Sequence, residues 1–190
     1  MKHEAPPTFL ALDLDIRGTN LIEASAGTGK TWTIAALFLR LVLLEHMAVD
    51  KILVVTFTNA ATAELKTRLR ARLDDALREL QGLNDGDSAL ADLQAAYLAR
   101  EDLRKKELHL PEFEDFLLEV LKLALTQEAP SRLRLRLQAA INQFDHAGIF
   151  TIHGFCQRVL REFAFLCQVP FQMELADDTS AAQVRLAADF

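Results

Sequence analysis

The sequence predicts an α/β fold in which helices flank a parallel β-sheet. Three segments predict it, because in each a short apolar run ends in small or polar residues and continues as a helix-like run. The first passes from Leu21 and Ile22 through a glycine-rich loop into the apolar run 32–44, the second covers residues 51–65, and the third covers residues 149–156. Strand, loop, helix and strand form a βαβ unit, whose ligands bind at the carboxyl ends of the strands.

The glycine-rich loop has the residue types of a phosphate-binding loop. Gly27 and Gly29 allow backbone N–H groups to turn toward phosphates. Lys30 places a positive charge near the β and γ phosphates, and Thr31 offers a hydroxyl to Mg²⁺. The whole loop, in which alanine stands at the first position where the general pattern has glycine, consists of Ala24, Ser25, Ala26, Gly27, Thr28, Gly29, Lys30 and Thr31. A turn without a ligand is the alternative, but the loop predicts a site for a nucleoside triphosphate.

The second segment predicts a buried parallel strand followed by a helix. Its apolar run 52–55 stops abruptly, and an alanine-rich helix begins after a short polar and aromatic stretch. Hydroxyls and an amide can form hydrogen bonds with a sugar-phosphate backbone, and an aromatic ring can stack on a base. The stretch consists of Thr56, Phe57, Thr58 and Asn59. The alternative is that Thr58 or Asn59 caps the helix, which is expected of one of them in either case.

The three segments together resemble the first three motifs of superfamily 1A DNA helicases of the UvrD/Rep type. The resemblance is carried by Ala-x-x-Gly-x-Gly-Lys-Thr at 24–31, by Thr-Phe-Thr-Asn-Ala-Ala-Thr-Ala-Glu-Leu at 56–65 and by Thr-x-His-Gly-Phe-Cys at 151–156. The motifs stand in the family's order, and the resemblance runs from about Leu12 to Phe190. Within the superfamily, the sequences of these motifs are similar to those of the RecB-like beta subunits of exodeoxyribonuclease V, which are helicase-nucleases.

This resemblance implies a P-loop NTPase (RecA-like) fold, present in part. Its core would comprise residues 10–80 and 145–170, with a helical insertion at about 81–144 between the second and third motifs. Residues 171–190 would begin a following helical subdomain. The implied activity is ATP-dependent DNA unwinding from 3′ to 5′, within a heterotrimeric helicase-nuclease complex that acts in double-strand break repair and recombination. ATP and Mg²⁺ are the implied cofactors, with Lys30 and Thr31 as catalytic residues and Thr31 as the metal ligand.

The resemblance also implies contacts with single-stranded DNA from the second and third motifs. The implied DNA-binding residues are Thr56, Phe57, Thr58, Asn59, Thr151, His153 and Phe155. One departure concerns the nucleotide base, since many relatives read adenine with a glutamine-containing segment upstream of the loop. Residues 9–20 contain no glutamine, so the sequence supports selectivity for adenine less strongly than it supports phosphate binding.

ATP hydrolysis requires residues beyond those of the three motifs. This class of motor uses an apolar strand ending in Asp-Glu and an arginine finger from a second motor domain. Asp177 and Asp178 follow a polar-leaning stretch, and Glu162 lies within a helix pattern. We therefore expect the chain alone to bind ATP without efficient hydrolysis, and we expect no nuclease site in it. The alternatives are a stand-alone nucleotide-binding or regulatory module without turnover, and a small-molecule kinase, which would leave the second and third motifs unexplained.

Composition predicts a single cytoplasmic domain. A chain of 190 residues with 51% hydrophobic content can bury a substantial core. Its longest strongly apolar stretch, 34–44, contains Arg40 and is about half a bilayer span, so neither a transmembrane helix nor a secretory signal is expected. Two cysteines, Cys156 and Cys167, cannot build a disulfide framework or complete a zinc site, and we expect reduced thiols.

The formal net charge of -6 argues against DNA binding by bulk electrostatics. A motor needs only a local groove with stacking surfaces, and the basic segments 66–72 and 132–136 could line one. Charges at alternate positions of a helix are spread around the helix surface rather than gathered on one side. We therefore interpret both basic segments as solvated helix faces. Residues 64–144 predict three or four helices, broken at 82–88, Pro111 and Pro130.

Overall fold

The structure, a computed structural model of the chain, describes residues 10–23, 30–86, 88–104 and 113–167. These residues form eight α-helices, two 3₁₀ helices (Val49–Lys51 and Phe144–His146) and two short strands. The fold is thus a mainly helical α/β fold, which confirms the predicted class at that level. In chain order the elements are α1 (Leu10–Asp13), α2 (Lys30–Leu43), β1 (Leu53–Thr56), α3 (Asn59–Leu80), α4 (Ala89–Arg104), α5 (Phe113–Gln127), α6 (Pro130–Asn142), β2 (Gly148–Thr151), α7 (Ile152–Glu162) and α8 (Ala164–Cys167).

The two strands form a parallel sheet. Leu53 pairs with Gly148 at one end, and Thr56 pairs with Thr151 at the other. The backbones approach closely at Gly148, where an added Cβ would lie 2.9 Å from the carbonyl oxygen of Ile52. A residue with a side chain at this position would therefore force the neighbouring backbone to move.

The predicted strand at Leu21 and Ile22 is wrong. Residues 21–23 have no regular secondary structure, and Leu21 is 84% exposed. A strand needs a neighbouring strand to satisfy its N–H and C=O groups. Within the described residues the sheet consists of β1 and β2 alone, so residues 21–23 have no strand beside them. The apolar pair in the sequence is not sufficient for a strand.

The hydrophobic core lies between α2, α3, α5 and α6. Each helix turns residues three or four positions apart toward it, which is the spacing of one helical face. The side chains that are almost fully buried include Leu39 and Leu43 of α2, Leu69, Leu73 and Leu80 of α3, Phe116 and Leu121 of α5, and Leu133 and Leu137 of α6. Ile149 of β2 belongs to the same cluster, so one face of the sheet packs on these helices.

The prediction of three or four helices in residues 64–144 is confirmed by α3 to α6. The break at 82–88 separates α3 from α4, and Pro130 begins α6, where the missing N–H of proline costs no helical hydrogen bond. The predicted break at Pro111 lies outside the described residues.

Helices α5 and α6 pack against α2, and α6 also packs against α3. The division into a P-loop core and a helical insertion stays a prediction. Within the described ranges, no helix combines the length and apolarity needed to cross a membrane.

The basic segment 66–72 on α3 has the predicted solvated face. Arg68 pairs with Glu64 at 2.6 Å, and both side chains are more than half exposed. Arg70 lies 3.8 Å from Asp145, which is almost fully exposed. Ion pairs of this kind contribute little to stability because water screens them.

The basic segment 132–136 on α6 is different, and the prediction of a solvated face is wrong there. Nη1 of Arg134 donates to the carbonyl oxygens of Leu80 at 3.0 Å and Leu83 at 2.6 Å. The last carbonyls of a helix have no partner within that helix, and a cation is favoured beside them by the helix dipole. Arg134 therefore stabilises the C-terminal end of α3.

Arg136 has a similar role at the C-terminal end of α2. Its Nη1 donates to the carbonyl oxygen of Leu43 at 3.3 Å, and its Nη2 donates to Oε1 of Glu128 at 2.7 Å. His46 Nδ1 lies 3.8 Å from the same carboxylate oxygen. The hydrogen bond from Arg136 holds the pKa of Glu128 below its ordinary value of 4.5, although partial burial acts in the opposite direction.

Neutralising Glu128 should destabilise the fold at neutral pH and have less effect in acid. The Glu128→Gln variant loses the negative charge that pairs with Arg136, so the hydrogen bond between the two side chains becomes weaker. Because the folded-state pKa of Glu128 is lowered, the wild-type protein has its full excess in free energy of unfolding above pH 4.5. This excess is lost as the pH falls through the folded-state pKa. Urea unfolding of both proteins at neutral pH and well below pH 4.5 measures this difference.

Glu119→Gln is the matched control for Glu128→Gln. Glu119 pairs with Lys122 at 2.7 Å, but its side chain is 44% exposed, so its loss should change the free energy of unfolding little at either pH. If the difference in free energy of unfolding between wild type and Glu128→Gln were the same in acid as at neutral pH, packing rather than the ion pair would account for it.

Candidate functional site

The carboxyl ends of β1 and β2 lie side by side, because Thr56 and Thr151 are partners in the parallel register. A helix follows each strand, α3 beginning at Asn59 and α7 at Ile152. The second and third segments singled out in the sequence are therefore brought together at one edge of the sheet. We refer to residues 56–59 and 151–153 as the strand-end edge.

Two threonines of the strand-end edge cap the helices that follow. Oγ1 of Thr58 accepts a hydrogen bond from the Ala61 amide at 3.1 Å, and Oγ1 of Thr151 accepts one from the Gly154 amide at 3.1 Å. The prediction that Thr58 or Asn59 caps α3 is confirmed for Thr58. A capping hydroxyl accepts a hydrogen bond from the amide and still carries its own proton, so capping leaves Thr58 and Thr151 able to donate to an anion.

A third threonine, Thr62, was not identified from the sequence. Its hydroxyl lies 2.6 Å from that of Thr56 and donates to the carbonyl oxygen of Thr58 at 3.0 Å. These bonds join the end of β1 to the first turn of α3 and fix the bend between them. The signal in the sequence is the four-residue spacing from Thr58, at which a threonine hydroxyl reaches back to a helical carbonyl.

The remaining residues of the strand-end edge are accessible to solvent. Phe57 is 86% exposed, although it is a large apolar side chain. Asn59 at the start of α3 and His153 in the first turn of α7 are exposed as well. An aromatic ring, an amide and an imidazole thus lie beside the threonine hydroxyls, and they can supply stacking and hydrogen bonds.

Phe155 lies on a different surface. It is half-buried and lines a cleft of about 210 Å³ with Leu53, Gly148 and Phe150, near the amino ends of the strands. The guanidinium of Arg158 lies over the Phe150 ring in this cleft, 5.2 Å from its centroid. The structure therefore does not bring Phe155 to the strand-end edge, and its assignment as a DNA contact stays a prediction.

Helix α2 begins at Lys30, at the end of the predicted phosphate loop. Lys30 is exposed and Thr31 is half-buried in the first turn, while the loop residues Ala24, Ser25, Ala26, Gly27, Thr28 and Gly29 lie outside the described residues. First-turn amides have no acceptor within a helix, so a cation and a hydroxyl at this position fit a phosphate group with its Mg²⁺. Among the described residues, no cluster of His, Cys, Asp and Glu is placed to hold a metal ion by itself.

A sequence profile of the UvrD/REP helicase N-terminal domain matches residues 9–189. The chain belongs to this family. The resemblance stated from the three motifs is thereby confirmed, and the matched range agrees with the extent predicted from the sequence, about Leu12 to Phe190.

Individual relatives of this UvrD/REP-type domain carry the name RecBCD enzyme subunit RecB. The protein from Haemophilus influenzae is 39% identical over 186 residues, which cover 94% of this chain and 14% of the relative. The Escherichia coli protein is 37% identical over 191 aligned positions, and the alignment covers 96% of this chain and 14% of the relative. The chain thus spans about one seventh of the length of the curated relatives it matches.

Removing the Thr58 cap should destabilise this UvrD/REP-type domain without altering its core. Thr58→Ala leaves the Ala61 amide without its side-chain acceptor, and we expect a loss of about 1 kcal/mol in the free energy of unfolding. Thr58→Ser retains the hydroxyl and should restore most of it. Urea denaturation monitored by circular dichroism measures all three proteins.

Thr67→Ala is the control for this comparison. Thr67 lies on the same helix, exposed, and its hydroxyl donates to the carbonyl oxygen of Ala63. Its replacement should change the free energy of unfolding by less than about 0.5 kcal/mol. Equal losses in Thr58→Ala and Thr67→Ala would contradict a specific capping role.

Proposed function

We propose that this chain is the ATP-binding N-terminal portion of an ATP-dependent DNA helicase. The helicase would be one subunit of a helicase-nuclease complex acting in double-strand break repair and recombination. Family membership and the names of the relatives support the proposal. The structural observation that carries it is the parallel pairing of Thr56 with Thr151, since it joins the two motifs proposed to bind DNA at one edge.

The proposed nucleotide is ATP with Mg²⁺, bound at the loop 24–29 and the start of α2. Lys30 would place its ammonium near the β and γ phosphates, and the Thr31 hydroxyl would be a ligand of the metal. Bound Mg²⁺ would neutralise charge on the phosphate oxygens. The N-terminal amides of α2 would favour the same anion.

The proposed nucleic acid is single-stranded DNA, with movement from 3′ to 5′ as the resemblance implies. Phe57 would stack on a base, because every base offers a flat face to an exposed ring. The hydroxyls of Thr56, Thr58 and Thr151, the Asn59 amide and the His153 imidazole would contact the sugar-phosphate backbone. The resemblance also implies Phe155, but this residue lines the cleft near the amino ends of the strands, so the support is stronger for the strand-end residues.

We propose further that the chain alone turns ATP over poorly. Glu162, one acidic residue considered from the sequence, lies in the last turn of α7 at 4.0 Å from Arg158, eleven residues beyond the strand-end Thr151. The other two, Asp177 and Asp178, lie outside the described residues. In a longer protein that includes an Asp-Glu strand and an arginine finger, hydrolysis should depend on single-stranded DNA. The other subunits of the complex are proposed as partners on the same grounds.

Lys30→Ala should abolish most nucleotide binding by the chain. A charge-assisted bond to phosphate is lost, so we expect the dissociation constant for a fluorescent ATP analogue with Mg²⁺ to rise by about tenfold or more. The control is Lys51→Ala, because Lys51 is an exposed lysine that precedes β1 at the opposite end of the sheet and pairs with Asp50. Unchanged affinity in Lys30→Ala would contradict the proposed site. Nucleotide binding that never responds to single-stranded DNA would favour a stand-alone binding module.

Phe57→Ala should weaken the binding of a single-stranded oligonucleotide. The loss of one stacked base corresponds to about 1–3 kcal/mol, and fluorescence anisotropy of a labelled oligonucleotide measures it. Phe165→Ala is the matched control, since Phe165 on α8 is 85% exposed compared with 86% for Phe57. If both variants lost affinity equally, nonspecific apolar contact rather than the strand-end edge would explain the binding.

A further inference from the structure

The hydroxyls of Thr56 and Thr62 contact each other and share one carbonyl group. Their Oγ1 atoms lie 2.6 Å apart. The carbonyl oxygen of Thr58 lies 3.2 Å from Oγ1 of Thr56 and 3.0 Å from Oγ1 of Thr62. These three groups, which we call the threonine triangle, connect the last residue of β1 with the first turn of α3.

The number of protons limits what the threonine triangle can offer to a ligand. Each hydroxyl carries one proton, so two protons serve three contacts. Thr56 donates either to Thr62, which then donates to the Thr58 carbonyl, or to that carbonyl directly. In every arrangement the proton of Thr56 is used inside the triangle. The phosphate and sugar oxygens of a DNA backbone accept hydrogen bonds, so the Thr56 hydroxyl has no proton left to donate to them.

The capping threonines differ from Thr56 in this respect. The Thr58 hydroxyl accepts a hydrogen bond from the Ala61 amide, and the Thr151 hydroxyl accepts one from the Gly154 amide. Neither bond uses the proton of the hydroxyl. The threonines of the strand-end edge therefore divide into two that can donate to a phosphate and one, Thr56, that donates within the fold.

Phe57 lies between the two ends of the threonine triangle. It is one of the two residues that link β1 to α3, and its ring is almost fully exposed, so packing on the core does not determine where the ring points. Hydrogen bonds instead hold its neighbours on both sides, the Thr56 side chain and the Thr58 carbonyl. Thr62 contacts both of these groups, and it is half-buried while Phe57 faces the solvent.

We propose that Thr56 and Thr62 are positioning residues for Phe57 in the binding of single-stranded DNA. Their hydroxyls hold the link between β1 and α3 in the shape that directs the Phe57 ring toward a base, and neither hydroxyl donates to the nucleic acid. This inference rests on the proposed function. It narrows the proposed hydroxyl donors to the backbone to Thr58 and Thr151.

The test is a double-mutant cycle with Phe57. Thr56→Val and Thr62→Val each remove one hydroxyl and keep the branched shape of the side chain. Phe57→Leu removes the ring but keeps an apolar side chain, so that weak binding stays measurable. Fluorescence anisotropy of a labelled single-stranded oligonucleotide gives the dissociation constant of each whole-chain variant, at a temperature where circular dichroism shows it to be folded.

The valine variants should weaken binding only while the Phe57 ring is present. In the wild-type background each should raise the dissociation constant about fivefold, equivalent to about 1 kcal/mol. In the Phe57→Leu background each should raise it less than about twofold, because residues that act through one group are not additive. Thr62→Ser keeps the hydroxyl and should stay within about twofold of wild type.

Thr67→Val is the matched control. Thr67 lies on the same helix, and its hydroxyl donates to the carbonyl oxygen of Ala63, four residues earlier, as that of Thr62 does to Thr58. It has no contact with the strand-end edge among its hydrogen bonds in the described part of the chain. Its replacement should leave the affinity for the oligonucleotide within about twofold of wild type.

Two results would overturn the inference while the proposed function stands. One is unchanged affinity in Thr62→Val, or in Thr62→Ala if the valine variant does not fold, while Phe57→Leu binds more weakly than wild type. The other is a fivefold loss that persists in the Phe57→Leu background, because the hydroxyls would then not act through Phe57. If the wild-type chain bound the oligonucleotide no better than Phe57→Leu does, the proposed DNA contact of Phe57 would be wrong and the inference would fail with it.

Discussion

Two four-residue strands, Leu53–Thr56 and Gly148–Thr151, pair in parallel although four helices separate them in the chain. A parallel pair cannot be closed by a tight turn and requires a long crossover connection, which is usually helical. Here that connection supplies α3, α5 and α6, which form most of the core with α2. The sheet is small, so its register depends on this helical packing and on the close approach at Gly148. The strand-end edge exists only because that register aligns Thr56 with Thr151.

The local elements could be predicted from the sequence where one pattern determines the outcome. The apolar run beyond Thr31 forms α2, the β-branched run forms β1, and Thr58 caps α3 as a threonine before an alanine-rich helix does. Leu21 and Ile22 have an equally apolar pattern but form no strand. The difference lies in tertiary contacts, because a strand depends on a neighbour that the local sequence does not specify.

Long-range contacts also determine the roles of three arginines. Arg134 and Arg136 alternate along α6 in a pattern that resembles a basic surface, yet they donate to carbonyl oxygens of α3 and α2. Arg40 does the same at α1. Nothing in the sequence shows which helix ends lie nearby, and so these roles could not be predicted. The meeting of the second and third segments could be predicted, since their residues follow the strands directly, but Thr62 and the position of Phe155 could not. That these residues bind DNA stays a prediction.

The hydroxyl bonds among Thr56, Thr58 and Thr62 have a consequence for Phe57. They hold the backbone on both sides of this residue between a strand and a helix, so the ring projects into water from a rigid support. A ring on a free loop would lose backbone and side-chain entropy on contact with a flat partner. Phe57 has already lost most of its backbone freedom when the domain folds. If Phe57 stacks on a base as proposed, Thr62 would lower the entropic cost of that contact from five positions away, without itself touching the ligand.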